Sequence, residues 1–348
     1  MKALKILGIV LGTLTVLLLV GIIYLTTGFG TTRIKSELSR VVLENKQRTL
    51  KIDGELTLSF WPSLGVRLGR VSLSDRDSDK TFAAFESAQV SVQAMPLLAK
   101  QIVFDRIELD GGQVSLLRRQ DGTLNIDDLL AKEKDQAMQF DIGRIKIANT
   151  RLSVRDEMSG RDLVLANLNL SAGPLANAAR GKLEFSTRLN ASQPSIDAAI
   201  RLDADYDYDM NARRFDLGRI DVSCVGQLAG ARNSIDAKLA LSGKLHADLA
   251  RQSAEGNVSA RFDESTIDAK FNLTKFAPLA LGFTLDIDRL NADKYLPPKQ
   301  GGGGKIAAKD GAEKLVLSTV KNLDVHGTVN IGTLQFAGAS ADNVRLHL

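Results

Sequence analysis

The residues that could do chemistry are few, and their spacing argues against most of it. From Ser195 to Met210 one set of alternate positions carries Asp197, Asp203, Asp205, Asp207 and Asp209, a row that invites a calcium reading. Carboxylates on one strand face repeat roughly 6.6 Å apart, whereas calcium gathers oxygens at about 2.3–2.6 Å, usually from a tight loop. The row is therefore read as a solvated outer face, which also discourages edge pairing. His246, His326 and His347 fall on polar positions with no nucleophile near them in sequence, and neither a zinc-binding HExxH pair nor a nucleophile elbow occurs. Gly301 to Gly304 precede Lys305, but Ile306 stands where a phosphate loop needs Ser or Thr, and Pro297-Pro298 lie upstream. Cys224 is the one cysteine, which excludes an intrachain disulfide and a zinc site built on paired thiolates. The expectation is a protein that is not an enzyme, with no catalytic, metal-binding or cofactor-binding residue.

Charge excludes another class. The 348 residues carry 45 Lys and Arg against 41 Asp and Glu, and aromatics make up 5%. A surface that tracks phosphates needs clustered cations interleaved with stacking platforms, and the basic clusters here are pairs such as Arg118-Arg119. Nucleic acid is not expected as a partner.

The elements that position these residues begin with a membrane segment. From Ile6 to Thr32 no residue is charged, and Ile6 to Leu25 is dominated by Leu, Ile and Val. About 20 apolar residues at 1.5 Å rise span a ~30 Å hydrocarbon core. The run is longer than a signal-peptide core, and Leu25-Thr26-Thr27-Gly28 is a poor cleavage site. Residues 6–27 are read as an uncleaved signal anchor, and residues 1–5, with Lys2 and Lys5, as a cytoplasmic tail. Residues 28–49 follow as an amphipathic helical connector, in which Ile34, Leu38, Val41 and Val42 form one face.

After Leu50 the period of the apolar residues changes to two. The clearest run is Ile196, Ala198, Ile200, Leu202, Ala204, Tyr206, Tyr208 and Met210, a strand with one apolar and one charged face. Shorter runs recur at Ala88/Val90/Val92, Ile235/Ala237/Leu239/Leu241, Val258/Ala260/Phe262, Ile267/Ala269/Phe271/Leu273 and Val344/Leu346/Leu348. Ser242-Gly243, Glu255-Gly256-Asn257 and His326-Gly327 are read as turns between them, giving an antiparallel meander. The helical candidates beyond residue 50 are short, Ile126 to Lys132 and Pro174 to Ala179. They cannot cover so many strands, so the sheet either closes as a sandwich or barrel, or curls into a trough whose apolar lining meets something other than protein. Residues 297–313 are read as a Pro/Gly-rich linker, and 314–348 as further strands.

Several segments resemble the N-terminal region of the AsmA family of bacterial envelope proteins. They are Ile52-Asp53-Gly54 through Trp61-Pro62, Pro96-Leu97-Leu98, Ile107-Glu108-Leu109-Asp110-Gly111, Val114 to Arg119, and Asp121-Gly122-Thr123-Leu124-Asn125. Leu290 to Pro298 resembles the segment with which these proteins enter their mid-chain linker. The resemblance implies an inner-membrane, single-pass protein whose body, 50–296, is a periplasmic β-groove. That groove is mainly β, an elongated curled antiparallel sheet with few short helices behind the N-terminal transmembrane helix. It implies a link to phospholipid transport and outer-membrane assembly, and no catalytic residues. Family proteins run longer, so the stop at Leu348 in mid-strand is expected to be a truncation.

Two functions follow. In the first, apolar strand faces hold phospholipid acyl chains, and Ile196, Ile200, Leu202, Tyr206, Tyr208, Leu239, Phe262 and Phe271 are the groove candidates. In the second, the sheet is closed and dry, and the protein is a tether or assembly scaffold for outer-membrane biogenesis. Strands facing lipid and strands facing protein alternate alike.

Overall fold

The computed structural model describes residues 31–59, 63–98, 101, 103–130, 141–192, 195–229, 234–276, 279–294, 324–336 and 338–348. The elements run α1 (Thr31–Lys46), β1 (Leu50–Ile52), β2 (Leu56–Ser59), β3 (Ser63–Leu68), β4 (Val71–Ser74), β5 (Thr81–Phe85), β6 (Ser87–Gln93), α2 (Ala94–Leu98), β7 (Val103–Asp110), β8 (Gln113–Arg118), α3 (Asp127–Leu130) and β9 (Asp141–Ile142). Longer strands follow: β10 (Ile145–Asp156), β11 (Arg161–Gly173), β12 (Ala178–Ser192), β13 (Ser195–Asp209), β14 (Arg214–Ala229), β15 (Ser234–Asp248), β16 (Ser253–Phe262), β17 (Ser265–Phe276), β18 (Leu279–Asn291), β19 (Asp324–Phe336) and β20 (Ala339–His347). The protein is mainly β, and its strands belong to one hydrogen-bonded sheet. Among the described residues no helix is long and apolar enough to cross a membrane. The expected span over 6–27, the tail 1–5 and the linker 297–313 lie outside those residues.

Packing divides the chain into two units: Met1–Leu202 with Gly226–Leu228, and Asp203–Val225 with Ala229–Leu348. The first contains a closed head. One ribbon pairs β2, β3, β6 and β7, and a second pairs β1, β4, β5 and β8. Both end on β10, whose residues 145–148 pair in parallel with β7 and residues 151–156 in parallel with β8. The irregularity between these stretches falls at Asn149, which has a φ of 50°.

Helix α1 forms because Ile34, Leu38 and Val42 repeat every four residues, and all three are buried. They pack on Leu50 and Val71 of one ribbon and on Leu56, Leu68 and Ala88 of the other. A second cluster, Val90, Val92, Phe104, Ile107, Ile142 and Ile145, fills the interior beside it, and a third joins Phe82 and Ala83 to Ile126. Gln47, at a φ of 55°, ends the helix and turns the chain so that Arg48 points inward.

Arg48 is fully buried. Its guanidinium donates to both carboxylate oxygens of Asp128, at 2.8 and 2.6 Å, to the Ser74 carbonyl at 2.9 Å and to the Asn125 carbonyl at 2.5 Å. It also lies 5.0 Å from the centre of the Phe82 ring. The turn that presents these acceptors is the Asp121-Gly122-Thr123-Leu124-Asn125 segment. Thr123 donates twice to Asp121, and Asn125 is fixed by Asp75, the Ser115 carbonyl and the Leu117 amide.

In the second unit β15, β16, β17 and β18 pair antiparallel in turn, as do β19 and β20. Three expectations are corrected. The sheet is not wholly an antiparallel meander, since β19 runs parallel to β18, as β10 does to β7 and β8. Parallel neighbours need a crossover, and residues 292–323 supply the long connection between β18 and β19. Second, Gly243, Gly256 and Gly327 are not turns but lie inside β15, β16 and β19. A Cβ on Gly256 would stand 2.7 Å from Cζ of Phe271, and one on Gly327 would overlap the Phe283 ring. Each ring lies across the place of a missing side chain, so these glycines serve cross-strand packing. Third, the segment read as helical at 174–179 is extended: Pro174 follows a cis bond, Leu175 bridges to Ile142, and β12 begins at Ala178.

Candidate functional site

Register assembles apolar rows from residues that sequence spacing leaves separate. In the second unit one row runs Leu241, Ala260, Ile267, Ile287, Ile331 and Val344 across β15 to β20. Beside it lie Val258, Ala269, Leu285, Val329 and Leu346, then Gly256, Phe271, Phe283 and Gly327, then Ala254, Leu273, Leu281 and Val325. The four rows share β16 to β19, where four strands at ~4.8 Å and four positions at ~6.7 Å make an apolar field of roughly 14 by 20 Å, and the first row continues over six strands. The intervening residues, among them Lys244, Asn257, Lys270 and Asp286, are exposed on the opposite face.

What distinguishes this field from the head is its cover. The elements described in this unit are strands and one 3-10 turn, Ala292–Lys294, and the three buried apolar clusters all lie in the other unit. Within the four rows only Ile331 is buried; Leu346, on the last strand, is 52% exposed, and the rest are half-buried. An apolar surface of this extent is far above the scattered single residues that a soluble protein tolerates. A depression of about 550 Å³ is lined mostly by the opposite, polar rows, Lys270, Thr284, Thr328 and His347 with Asn272, Gly282 and His326, and so does not add to the apolar field.

The eight groove candidates distribute as follows. Leu239 and Phe262 are register partners on β15 and β16, and Phe271 pairs with Phe283, a residue missed in the sequence reading. Tyr206 and Tyr208 lie 5.8 Å apart, and Tyr208 stacks on Phe215 at 5.8 Å with 12° between the planes. All five are half-buried. Ile196, Ile200 and Leu202 belong to the other unit, half-buried along β13 with Ala198 buried between the first two. Phe283 and Leu285 were not singled out because their partners Phe271 and Ala269 become neighbours only through pairing.

The acidic row of β13 is more than a solvated face. Arg188 donates to both oxygens of Asp197, at 2.7 and 2.6 Å, and these hydrogen bonds hold the carboxyl below its ordinary pKa. Arg219 approaches Asp205 at 3.2 Å. Among the described residues no three His, Cys, Asp or Glu side chains gather where a metal could bind. The histidines make local surface pairs: His246 with Asp216, His326 with Asp324 at 2.8 Å, and His347 with Thr328 at 3.3 Å.

The head holds a buried ion pair, Arg48 with Asp128. Burial alone would raise the Asp128 carboxyl, but the hydrogen bonds and charge of Arg48 outweigh it and hold the group below the usual carboxylate value. Arg48 itself has no exposed surface.

Protein AsmA of Escherichia coli (strain K12) is 23% identical over 273 residues, which cover 74% of this chain and 43% of that protein. The chain thus matches less than half the length of that relative. No solved structure matches it. The AsmA family model matches residues 1–214, well over half of the sequence and including the whole head, and the chain belongs to the AsmA family.

Proposed function

We propose that the uncovered apolar field on β15 to β20 holds phospholipid acyl chains. One observation carries the reading: apolar rows continue in register across four to six strands and are only half-buried. Covering such a field with hydrocarbon is favourable by ~0.8 kcal/mol per buried CH₂, so an aliphatic strip competes with a bilayer for part of a chain. Binding of this kind requires no catalytic group. With the envelope role that family membership implies, the protein acts as an inner-membrane-anchored periplasmic carrier in phospholipid transport towards the outer membrane and in outer-membrane assembly. Residues 6–27 serve as its anchor.

The second reading is a tether or assembly scaffold with a dry core. The buried clusters of the head, one of them under α1, favour it for the head alone. Native mass spectrometry of the full chain, released from its membrane, tests the first reading. Co-purified phospholipid is expected, and a lipid-free protein would leave the scaffold. A reporter fused after Leu348 tests location; it should be active only if it needs export, and cytoplasmic activity would contradict the periplasmic assignment.

A further inference from the structure

We infer that the head is sealed against lipid, and that acyl chains meet only the strands beyond it. This rests on the reading of the β15 to β20 field as a lipid surface. A sheet that carries hydrocarbon along its whole apolar side would leave that side accessible from its first strands. Here the opposite holds. Helix α1 occupies the apolar side of both ribbons, and Leu38, at its middle, is 2% exposed. Val90, Val92 and Phe104, in the separate cluster against which Leu97 of α2 and Leu175 pack, are each 1% exposed.

The helix is fastened along its length as well as packed. Lys35 Nζ donates to the Gly54 carbonyl at 2.6 Å, and Ser39 Oγ to the Leu50 carbonyl at 2.7 Å. Just past its end, Arg48 ties the chain to the Asn125 turn and to α3 through Asp128. A hydrocarbon chain entering beneath α1 would have to strip the guanidinium of its partners without offering any in return, and a buried unpaired charge is among the most costly states in a protein interior. Arg48 therefore acts as a latch that keeps α1 seated, and α1 acts as a fixed wall. The head is the first part of the fold after the expected span in sequence, and its apolar interior is closed to lipid.

Photolabelling of the intact protein in its own membrane tests this directly. The probe is a phospholipid bearing a diazirine in its acyl chain; after irradiation, labelled peptides are mapped by mass spectrometry. Adducts are expected on the β16 to β19 peptides that carry Val258, Phe271, Leu285 and Val329. None above the unirradiated control are expected on the core residues of α1, β6 and β7. Labelling of Leu38, Val90 or Phe104 together with the β16 to β19 peptides would overturn the sealed head while leaving the lipid surface standing. Labelling of neither region would overturn the lipid reading itself, and this inference with it.

Discussion

Arg48 and Asp128 stand 80 residues apart in sequence, yet the guanidinium of one grips both carboxylate oxygens of the other, at 2.8 and 2.6 Å. The pair joins the end of α1 to α3 inside the head, and Asn125 and Ser74 complete the set of acceptors. The remainder of the molecule has no comparable buried polar network among its described residues. This contrast separates the head from a unit whose described elements are strands and one 3-10 turn.

Removing one partner of this pair should be severe. Arg48→Met leaves a carboxylate and two carbonyls facing the space vacated by the charge, and the expected loss is about 3–5 kcal/mol of stability in urea unfolding. The double variant Arg48→Met with Asp128→Leu should recover a large part of that loss, because no unpaired charge remains. Equal instability of the two variants would show that the guanidinium matters through its packing alone.

The same pair sets an acid limb. Asp128 has its pKa lowered in the folded state, so the unfolded chain takes up the proton more readily and stability rises with pH through that range. Its contribution is fully present above the ordinary aspartate value of about 3.9 and is lost as pH falls through the lower folded value. Unfolding curves from about pH 7 to pH 3 should therefore fall less steeply for the Arg48→Met/Asp128→Leu double variant than for the parent. Parallel curves would remove Asp128 from the acid response.

Glycine at 327 leaves room for the Phe283 ring. Gly327→Val should force that ring off the sheet and cost about 1–3 kcal/mol, the usual range for overpacking. Phe283→Ala in the same chain should relieve much of it, giving a coupling energy of more than about 0.5 kcal/mol in a double-mutant cycle. Additive effects would mean that ring and glycine are independent.

The parts of the fold that were legible in the sequence are those in which neighbours in space are also near in sequence. Ile34, Leu38 and Val42 announced the buried face of α1 by spacing alone, and Ile267, Ala269, Phe271 and Leu273 announced a strand with one apolar face. Glycines misled, because Gly256 and Gly327 look like turn residues until the rings that lie over them are known. The parallel pairing of β18 with β19 was hidden because it depends on a long connection rather than a hairpin. Arg48 was not singled out for the same reason; its partners are Ser74, Asn125 and Asp128, and only the fold of the head brings them together. Of the candidate face, the alternation was visible and the register was not. Phe271 was therefore named while its partner Phe283 was missed.

Leu285, at the centre of the apolar field between Ala269 and Val329, offers the most direct measurement of the central claim. Leu285→Asp places a carboxylate where acyl chains are held to lie, and desolvating it there costs several kcal/mol. Phospholipid retained by the purified full chain, counted by native mass spectrometry, should fall sharply, while β-sheet circular dichroism and the thermal midpoint change little because an uncovered face hydrates the new charge once lipid leaves. Lys270→Gln, on the opposite exposed face, should change neither. If the parent carries no phospholipid and Leu285→Asp unfolds the protein, the field is a dry core and the account is wrong.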